Sequence, residues 1–178
     1  MGYAGTLLRW LESGEVDLAL LYGAERSREI QATELVEEAL WVIGPKGANL
    51  KHDRPVPLPE LAAAKLVLPS APHGIRTLVE HACATAKVTL DIAAETNSLS
   101  VQRRLVLGGH ALTILPPIAV AEDLKSGDLC GAPLCAPVIS RTIVLGLPAN
   151  RPIARHVRCA VEILSGEAER AIVTGAWP

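Results

Sequence analysis

Short apolar runs and amphipathic helical stretches alternate through the middle of the chain. The predicted elements are strand Lys65–Leu68, helix Ile75–Ala86, strand Thr89–Ala94, helix Leu99–Leu107 and strand Leu112–Leu115. Such alternation is typical of a parallel sheet whose right-handed crossovers place helices on its faces. The sequence therefore predicts an α/β fold.

Weaker elements flank this alternation on both sides. Those predicted before it are helix Thr6–Ser13, capped by Thr6 and ended by Gly14, strand Val16–Tyr22, covered on both faces, strands Thr33–Leu35 and Ala39–Gly44, and the short helix Glu60–Ala64. Those predicted after it are helix Ala119–Lys125, an irregular segment or edge strand Leu129–Pro137, strand Arg141–Gly146, helix Pro152–Leu164, ended by Gly166, and a last helical turn or two at Glu167–Thr174.

Composition excludes several classes of protein. The 178 residues include 17 Lys and Arg against 19 Asp and Glu, so the chain lacks the basic excess of a domain that neutralises nucleic-acid phosphates. Three Trp, two Tyr and no Phe leave few faces for stacking bases. The apolar runs are shorter than the roughly 20 residues that span a bilayer. We therefore expect that this chain by itself neither binds DNA directly nor inserts into a membrane.

Sequence motifs for catalysis and metal binding are absent. The chain contains no GxSxG, HExxH, Walker A or GxGxxG motif, and Cys130 and Cys135 have no further Cys or His at zinc-ligand spacing. We therefore expect no enzyme activity, no cofactor and no metal. The four cysteines form no CxxC pair and no signal peptide precedes them, which favours a reduced, cytoplasmic location.

Three polar loops lead into predicted helices, and helix N-termini offer unpaired backbone N–H groups to anions. The loops are Gly2–Thr6, Pro69–Gly74 and Glu95–Ser98. Ordinary N-capping explains the polar residues of each loop singly. If the three loops converge at the carboxyl ends of parallel strands, they form a site for a carboxylate or another small anion.

Charged residues near these loops have less specific roles. His73 either donates to an anion or caps a turn, and the sequence leaves both roles open. Arg103 and Arg104 are adjacent on a helix and point about 100° apart, which favours a solvated face. We interpret Glu37 and Glu38 as charges at a strand edge.

The order of elements resembles the effector-binding domain of LysR-type transcriptional regulators. Thr6–Tyr22 (TLLRWLESGEVDLALLY) is similar to a helix, turn and strand of that family, and Glu38–Gly47 to a strand before a Pro-containing turn. Asn97–Pro117 (NSLSVQRRLVLGGHALTILPP) is similar to its helix, glycine turn and strand ending in Leu-Pro. The resemblance covers nearly the whole chain.

This resemblance implies two Rossmann-like lobes of the type II periplasmic-binding-protein kind, with an effector between them. Lobe I would comprise residues 1–64 and 139–178 and lobe II residues 65–138, with crossovers near Leu66–Ser70 and Pro137–Arg141. The effector-binding residues implied by the resemblance are Ala4, Gly5, Thr6, Ser70, His73, Gly74, Ile75, Thr96 and Asn97.

The chain departs from the family at its N-terminus. The family places a winged helix-turn-helix and the first elements of lobe I ahead of the residues matched here, so we expect a lobe I truncated at its N-terminus. An incomplete sheet exposes strand edges, which favours a homo-oligomer in which lobe I recruits another copy, or a partly open lobe I.

The resulting prediction is an effector-sensing regulatory domain that binds a small, anionic metabolite. DNA would be contacted only through a domain absent from this chain. Three alternatives stay open: a periplasmic-type solute-binding protein, which shares the fold but needs an export signal, a small two-lobed enzyme with His73 as its catalytic candidate, and an interaction module without a ligand cleft.

Overall fold

A computed structural model describes residues 4–22, 29–175 and 177. In chain order its helices and strands are α1 Ala4–Ser13, β1 Ala19–Tyr22, β2 Ile30–Ala39, β3 Trp41–Pro45, β4 Val56–Pro57, a 3-10 helix Leu58–Ala63, β5 Lys65–Leu68, α2 Gly74–Ala86, β6 Asp91–Glu95, α3 Leu99–Leu107, β7 Leu112–Leu115, a 3-10 helix Pro117–Val120, α4 Ala121–Ser126, β8 Leu129–Cys135, β9 Ser140–Pro148 and α5 Arg155–Val173.

The chain divides into two compact units. The first comprises Met1–Glu38 and Arg141–Pro178, and the second comprises Ala39–Ser140. The chain therefore passes between the units after Glu38 and again after Ser140. The second passage coincides with the predicted crossover near Pro137–Arg141, whereas the first lies well before Leu66–Ser70. Residues 39–64, which the prediction assigns to lobe I, belong to the second unit because β3 pairs with both β7 and β8.

The second unit contains a six-stranded sheet in the order β4-β8-β3-β7-β5-β6. β5 is parallel to β6 and to β7, as the alternating sequence pattern predicts. β3 is antiparallel to both of its neighbours, so the sheet is mixed. Of the two alternatives for Leu129–Pro137, the irregular segment is wrong and the strand is confirmed. β8 pairs with β3 from Leu129 to Pro133 and with β4 only at Leu134 and Cys135, so its β4 side is an open edge over most of its length. Its prolines and glycine obscure an apolar strand pattern.

The first unit contains a three-stranded sheet in the order β1-β9-β2. β1 is antiparallel to β9, and its residues alternate between buried and exposed positions. Leu20 and Tyr22 are 43% and 49% exposed, so the prediction of a strand covered on both faces is wrong. A continuous apolar run does not by itself distinguish a strand buried on both faces from one with an exposed face.

Helix ends differ from the prediction most clearly in α1 and α5. α1 begins at Ala4, so Thr6 lies inside the helix instead of capping it, while Gly14 ends the helix with φ of +85° as predicted. α5 continues through Gly166 to Val173. A glycine inside a helix costs only about 1 kcal/mol relative to alanine, and here it does not stop the helix.

A single apolar cluster in the second unit fixes the positions of the strand ends. Leu66, Val67 and Leu68 of β5 are fully buried. α2 packs Ile75 and Val79 into this cluster, and α3 adds Val106. Because the interior is closely packed, the loops that follow β5 and β6 begin from a rigid base.

No helix in the described ranges is long and apolar enough to cross a membrane.

Candidate functional site

Ser70 and Asn97 join the carboxyl ends of two neighbouring strands. Ser70 follows β5, Asn97 follows β6, and these strands are parallel neighbours. The backbone N–H of Ser70 donates to Oδ1 of Asn97 at 3.1 Å, and Nδ2 of Asn97 donates to Oγ of Ser70 at 2.7 Å. A hydroxyl that accepts one hydrogen bond still carries a proton that it can donate. The fold thus brings two of the predicted site residues together and orients a polar group at this edge.

Thr96 and Ser98 shape the loop between β6 and α3. The backbone N–H of Thr96 donates to the carbonyl of Leu68 at 3.0 Å, which extends the contact with β5 by one residue. Oγ1 of Thr96 accepts from the backbone N–H of Ser98 at 3.2 Å, and the hydroxyls of Ser98 and Ser100 lie 2.9 Å apart. These are the local bonds of a turn before a helix. Thr96 therefore orders the loop, whereas Asn97 connects it to a distant segment.

His73 caps the N-terminus of α2. Its Nδ1 accepts a hydrogen bond from the backbone N–H of Ile75 at 3.2 Å, and its carbonyl accepts from the N–H of Thr77 at 3.0 Å. Of the two roles left open for His73, the structure shows the cap. This bond occupies the Ile75 N–H, one of the donors that the prediction offers to an effector. Gly74 is exposed, and a Cβ at this position would contact no described atom beyond the adjoining chain and helix backbone.

Arg76 holds the same strand ends together from α2. Its Nη1 donates to the carbonyl of Pro69 at 3.2 Å and to Oε1 of Glu95 at 2.7 Å. Its Nε donates to Oε1 of Glu80 at 2.6 Å. The hydrogen bonds to Glu95 and Glu80 raise the pKa of Arg76 above its ordinary value. Because two carboxylates neutralise this guanidinium, Arg76 supports the edge of the sheet without acting as an open receptor for an anion.

The predicted residues of the first unit lie at the start of α1. Ala4 and Gly5 are in its first turn, and their side-chain surroundings lie outside what the structure describes. Thr6 is half-buried inside the helix. Gly2 and Tyr3 of the predicted loop also lie outside the described residues. A role for this segment in effector binding stays a prediction.

Gln102 is a feature of this region that the sequence analysis missed. It lies on α3, is 2% exposed, and its Nε2 has no hydrogen-bond partner in the described part of the chain. Val106, four residues later, is fully buried, so Gln102 and Val106 form the buried stripe of the helix. The signal available in the sequence was a polar residue four positions before an apolar one, a spacing that places both on the same face of a helix. Buried polar groups are rarely left without a partner.

The structure adds a partner to one surface charge and corrects the interpretation of another. Arg103 and Arg104 are exposed, as predicted for a solvated face, and Arg103 also forms a bidentate pair with the buried carboxylate of Asp123, with both N–O distances 2.5 Å. Glu38 is not an edge charge, because its side chain is 1% exposed and pairs with Arg141. Sequence spacing could not reveal either pair, since the partners are 20 and 103 residues apart.

Metal ligands are not assembled in the ranges 4–22 and 29–175 or at Trp177. No group of three or more His, Cys, Asp or Glu side chains in these ranges is placed to hold a metal ion. The four cysteines are free thiols.

Comparison with known protein families gives a match over most of the chain. The family model described as the LysR substrate binding domain matches residues 1–169. A curated relative, the HTH-type transcriptional regulator BbuR of Bordetella bronchiseptica, is 28% identical over 173 residues, which cover 97% of this chain and 53% of BbuR. The chain thus spans about half the length of this relative.

Solved structures share the fold at low sequence identity. The CcmR regulatory domain of Synechocystis PCC6803, in complex with 2-PG, matches with a TM-score of 0.81 and 14% identity over 93% of this chain and 80% of that chain. The effector binding domain of QuiR, in complex with shikimate, matches with a TM-score of 0.77 and 18% identity over 95% of this chain and 79% of that chain. The predicted two-lobed fold of the periplasmic-binding-protein kind is thereby confirmed.

Proposed function

Because this chain belongs to the LysR substrate-binding domain family, we propose that it is the effector-sensing regulatory domain of a bacterial LysR-type transcription regulator. The match over residues 1–169 and the similarity to BbuR support this function. DNA binding would reside in a domain outside this chain, in keeping with its net charge of −2. A transcription regulator acts on DNA, so we propose a cytoplasmic location, and a periplasmic solute-binding role is not favoured.

The observation that carries this proposal is the link between Ser70 and Asn97. The two residues fix the ends of β5 and β6 relative to each other through a pair of hydrogen bonds. Ligands of open α/β sheets bind outside the carboxyl ends of the strands, which is where these residues lie. In our proposal the Ser70 hydroxyl donates to the effector, while Asn97 holds that hydroxyl in place.

We propose a binding role for this edge and no catalytic one. A nucleophilic serine needs a neighbouring general base, and the described partner of the Ser70 hydroxyl is an amide. Nδ1 of His73, the catalytic candidate, already accepts from the Ile75 N–H. Both arrangements favour holding a molecule over converting it.

The effector we propose is a small metabolite that carries an anionic group. CcmR and QuiR regulatory domains, which share the fold, are known in complex with 2-PG and with shikimate. The first turn of α3 begins beside Asn97, and a helix N-terminus favours negative charge. The contributions of Ala4, Gly5 and Thr6 and of the helix start Gly74–Ile75 remain part of this proposal. Such an effector regulates only if it binds one conformation of the protein better than another.

Thermal unfolding in the presence of a metabolite extract tests this proposal. We expect the low-molecular-mass fraction of a bacterial cell extract to raise the melting temperature of the wild type. The variants Ser70→Ala and Asn97→Ala should bind the stabilising compound roughly fivefold more weakly, since a hydrogen bond contributes about 1 kcal/mol. Ser126→Ala removes a hydroxyl that bonds Asp128 at the end of α4 and serves as the matched control. Equal stabilisation of all four proteins would contradict the proposed site.

We further propose that the chain forms a homo-oligomer. β1 pairs with β9 alone among the described strands, so its other backbone edge is open to pairing with a second copy. Its exposed apolar residues Leu20 and Tyr22 add an open apolar face beside this edge. Light scattering coupled to size-exclusion chromatography gives the mass in solution. A strictly monomeric protein with one cooperative thermal transition would rule out the oligomer.

A further inference from the structure

Gln102 is a buried hydrogen-bond donor for which the described protein supplies no acceptor. Its side chain is 2% exposed, and no described atom accepts from Nε2. An amide in this situation is unfavourable, because it has lost its bonds to water without replacing them. The chain nevertheless holds a glutamine at this buried position. A ligand that supplies an acceptor accounts for this choice.

The position of Gln102 connects it to the edge formed by Ser70 and Asn97. Its backbone N–H donates to the carbonyl of Ser98 at 3.0 Å, so it lies one helical turn after Ser98, the N-cap residue of α3. Side chains of a helix lean toward its N-terminus, and this direction brings the Gln102 amide back toward Ser98 and the loop that contains Asn97. Val106, one turn further along, belongs to the apolar core. Gln102 is therefore the buried residue of α3 nearest to the proposed site.

We propose that Nε2 of Gln102 donates a hydrogen bond to a carboxylate oxygen of the effector. This inference rests on the proposed function and assigns both a specificity-determining residue and a chemical class of ligand. Arg76 is paired with Glu80 and Glu95, so a carboxylate at this edge is bound by neutral hydrogen-bond donors and by the N-terminus of α3. A neutral donor recognises the position of the oxygen, and the helix terminus favours its charge.

The amide resonances of glutamine offer a direct test. The chain contains two glutamines, Gln31 and Gln102, so selective ¹⁵N labelling gives two side-chain signals. Gln31 is exposed on β2 and serves as the internal control, and Gln102→Leu assigns the other signal by its loss. The full chain is titrated with sodium acetate as the carboxylate probe, with sodium chloride as the ionic-strength control. We expect a saturable shift of the Gln102 signal with acetate alone.

Two results of this titration would overturn the proposal. One is an unchanged Gln102 signal throughout the acetate titration. The other is an equal shift with chloride, which indicates a general salt effect. A shift with acetate that is lost in Asn97→Ala supports the proposal, because it places the carboxylate at the edge that Asn97 organises.

Thermal unfolding of Gln102→Leu tests the premise without a ligand. Replacing an unpartnered buried amide by an apolar side chain of similar volume should leave the melting temperature unchanged or raise it, with Gln31→Leu as the matched control. A markedly lower melting temperature would mean that the amide is already satisfied in the folded protein and would overturn the proposal.

Binding of the extract compound separates the two proposals. If Ser70→Ala weakens its binding and Gln102→Leu does not, the role of Gln102 is refuted and the sensing function stands. If the wild type itself gains no stability from the extract, the proposed function fails, while the acetate titration still decides on Gln102.

Discussion

Arg141 is bound to Glu38 at the two points where the chain leaves and re-enters the first unit. Nε and Nη2 of Arg141 both lie 2.5 Å from Oε1 of Glu38, whose side chain is almost fully buried. Nε1 of Trp177 donates to Oε2 of the same carboxylate at 2.9 Å, and the Arg141 guanidinium lies 4.0 Å from the centre of the Tyr22 ring. The first unit thus surrounds one buried carboxylate with donors from β9 and the C-terminal segment.

Removing Arg141 should strongly destabilise the protein. Arg141→Gln leaves the buried carboxylate of Glu38 without its cation, and breaking a buried pair costs about 3–5 kcal/mol. Arg170→Gln is the control, because Arg170 pairs with Glu167 on an exposed face and its loss should cost about 1 kcal/mol or less. Urea unfolding measures both values. If the two variants lose similar amounts of unfolding free energy, the buried pair of Glu38 and Arg141 is no more stabilising than an exposed pair.

The pair of Arg103 and Asp123 should make stability depend on pH. Hydrogen bonds from Arg103 lower the pKa of Asp123. The folded chain therefore holds the Asp123 proton more weakly than the unfolded chain does. The stabilisation is fully present above the ordinary aspartate pKa of about 3.9 and is lost as the pH falls through the lower, folded value.

The variant Arg103→Gln tests this pH dependence. Its deficit in unfolding free energy relative to the wild type should be largest near neutral pH and should shrink on acidification below about pH 4. Arg104→Gln changes the adjacent, exposed arginine and should show no such trend. Guanidinium unfolding at several pH values measures the unfolding free energy of each variant. If the deficit of Arg103→Gln relative to the wild type is the same at every pH, the pair does not make stability depend on pH.

His73 should contribute to stability as a helix cap. In His73→Ala the N–H of Ile75 loses its acceptor, and loss of an N-cap costs about 0.5–2 kcal/mol. His73→Asn should retain most of the stability, because asparagine is a favoured cap. His81→Ala alters an exposed histidine of the same helix and should have little effect. If His73→Asn is as unstable as His73→Ala in urea unfolding, capping is not the role of His73.

Local sequence pattern was sufficient for the elements of the central alternation. β5, α3 and β7 have the predicted bounds, because each shows a continuous apolar run or a helical period that ends at a turn residue. The pattern was less decisive for β8, where Pro133 interrupts the apolar run yet lies within a strand. Pairing with β3 from Leu129 to Pro133, and with β4 at Leu134 and Cys135, stabilises that strand despite its weak local preference.

The sequence by itself determined the helices and strands of the central alternation and that the loops after β5 and β6 carry hydroxyl and amide groups. Tertiary structure alone decided which of these groups meet. Ser70 and Asn97 are 27 residues apart, and they bond because β5 and β6 are neighbours in the sheet. The apolar pattern specifies which face of an element is buried, but strand order depends on the packing of all elements together, and the same packing closes Gln102 off from water.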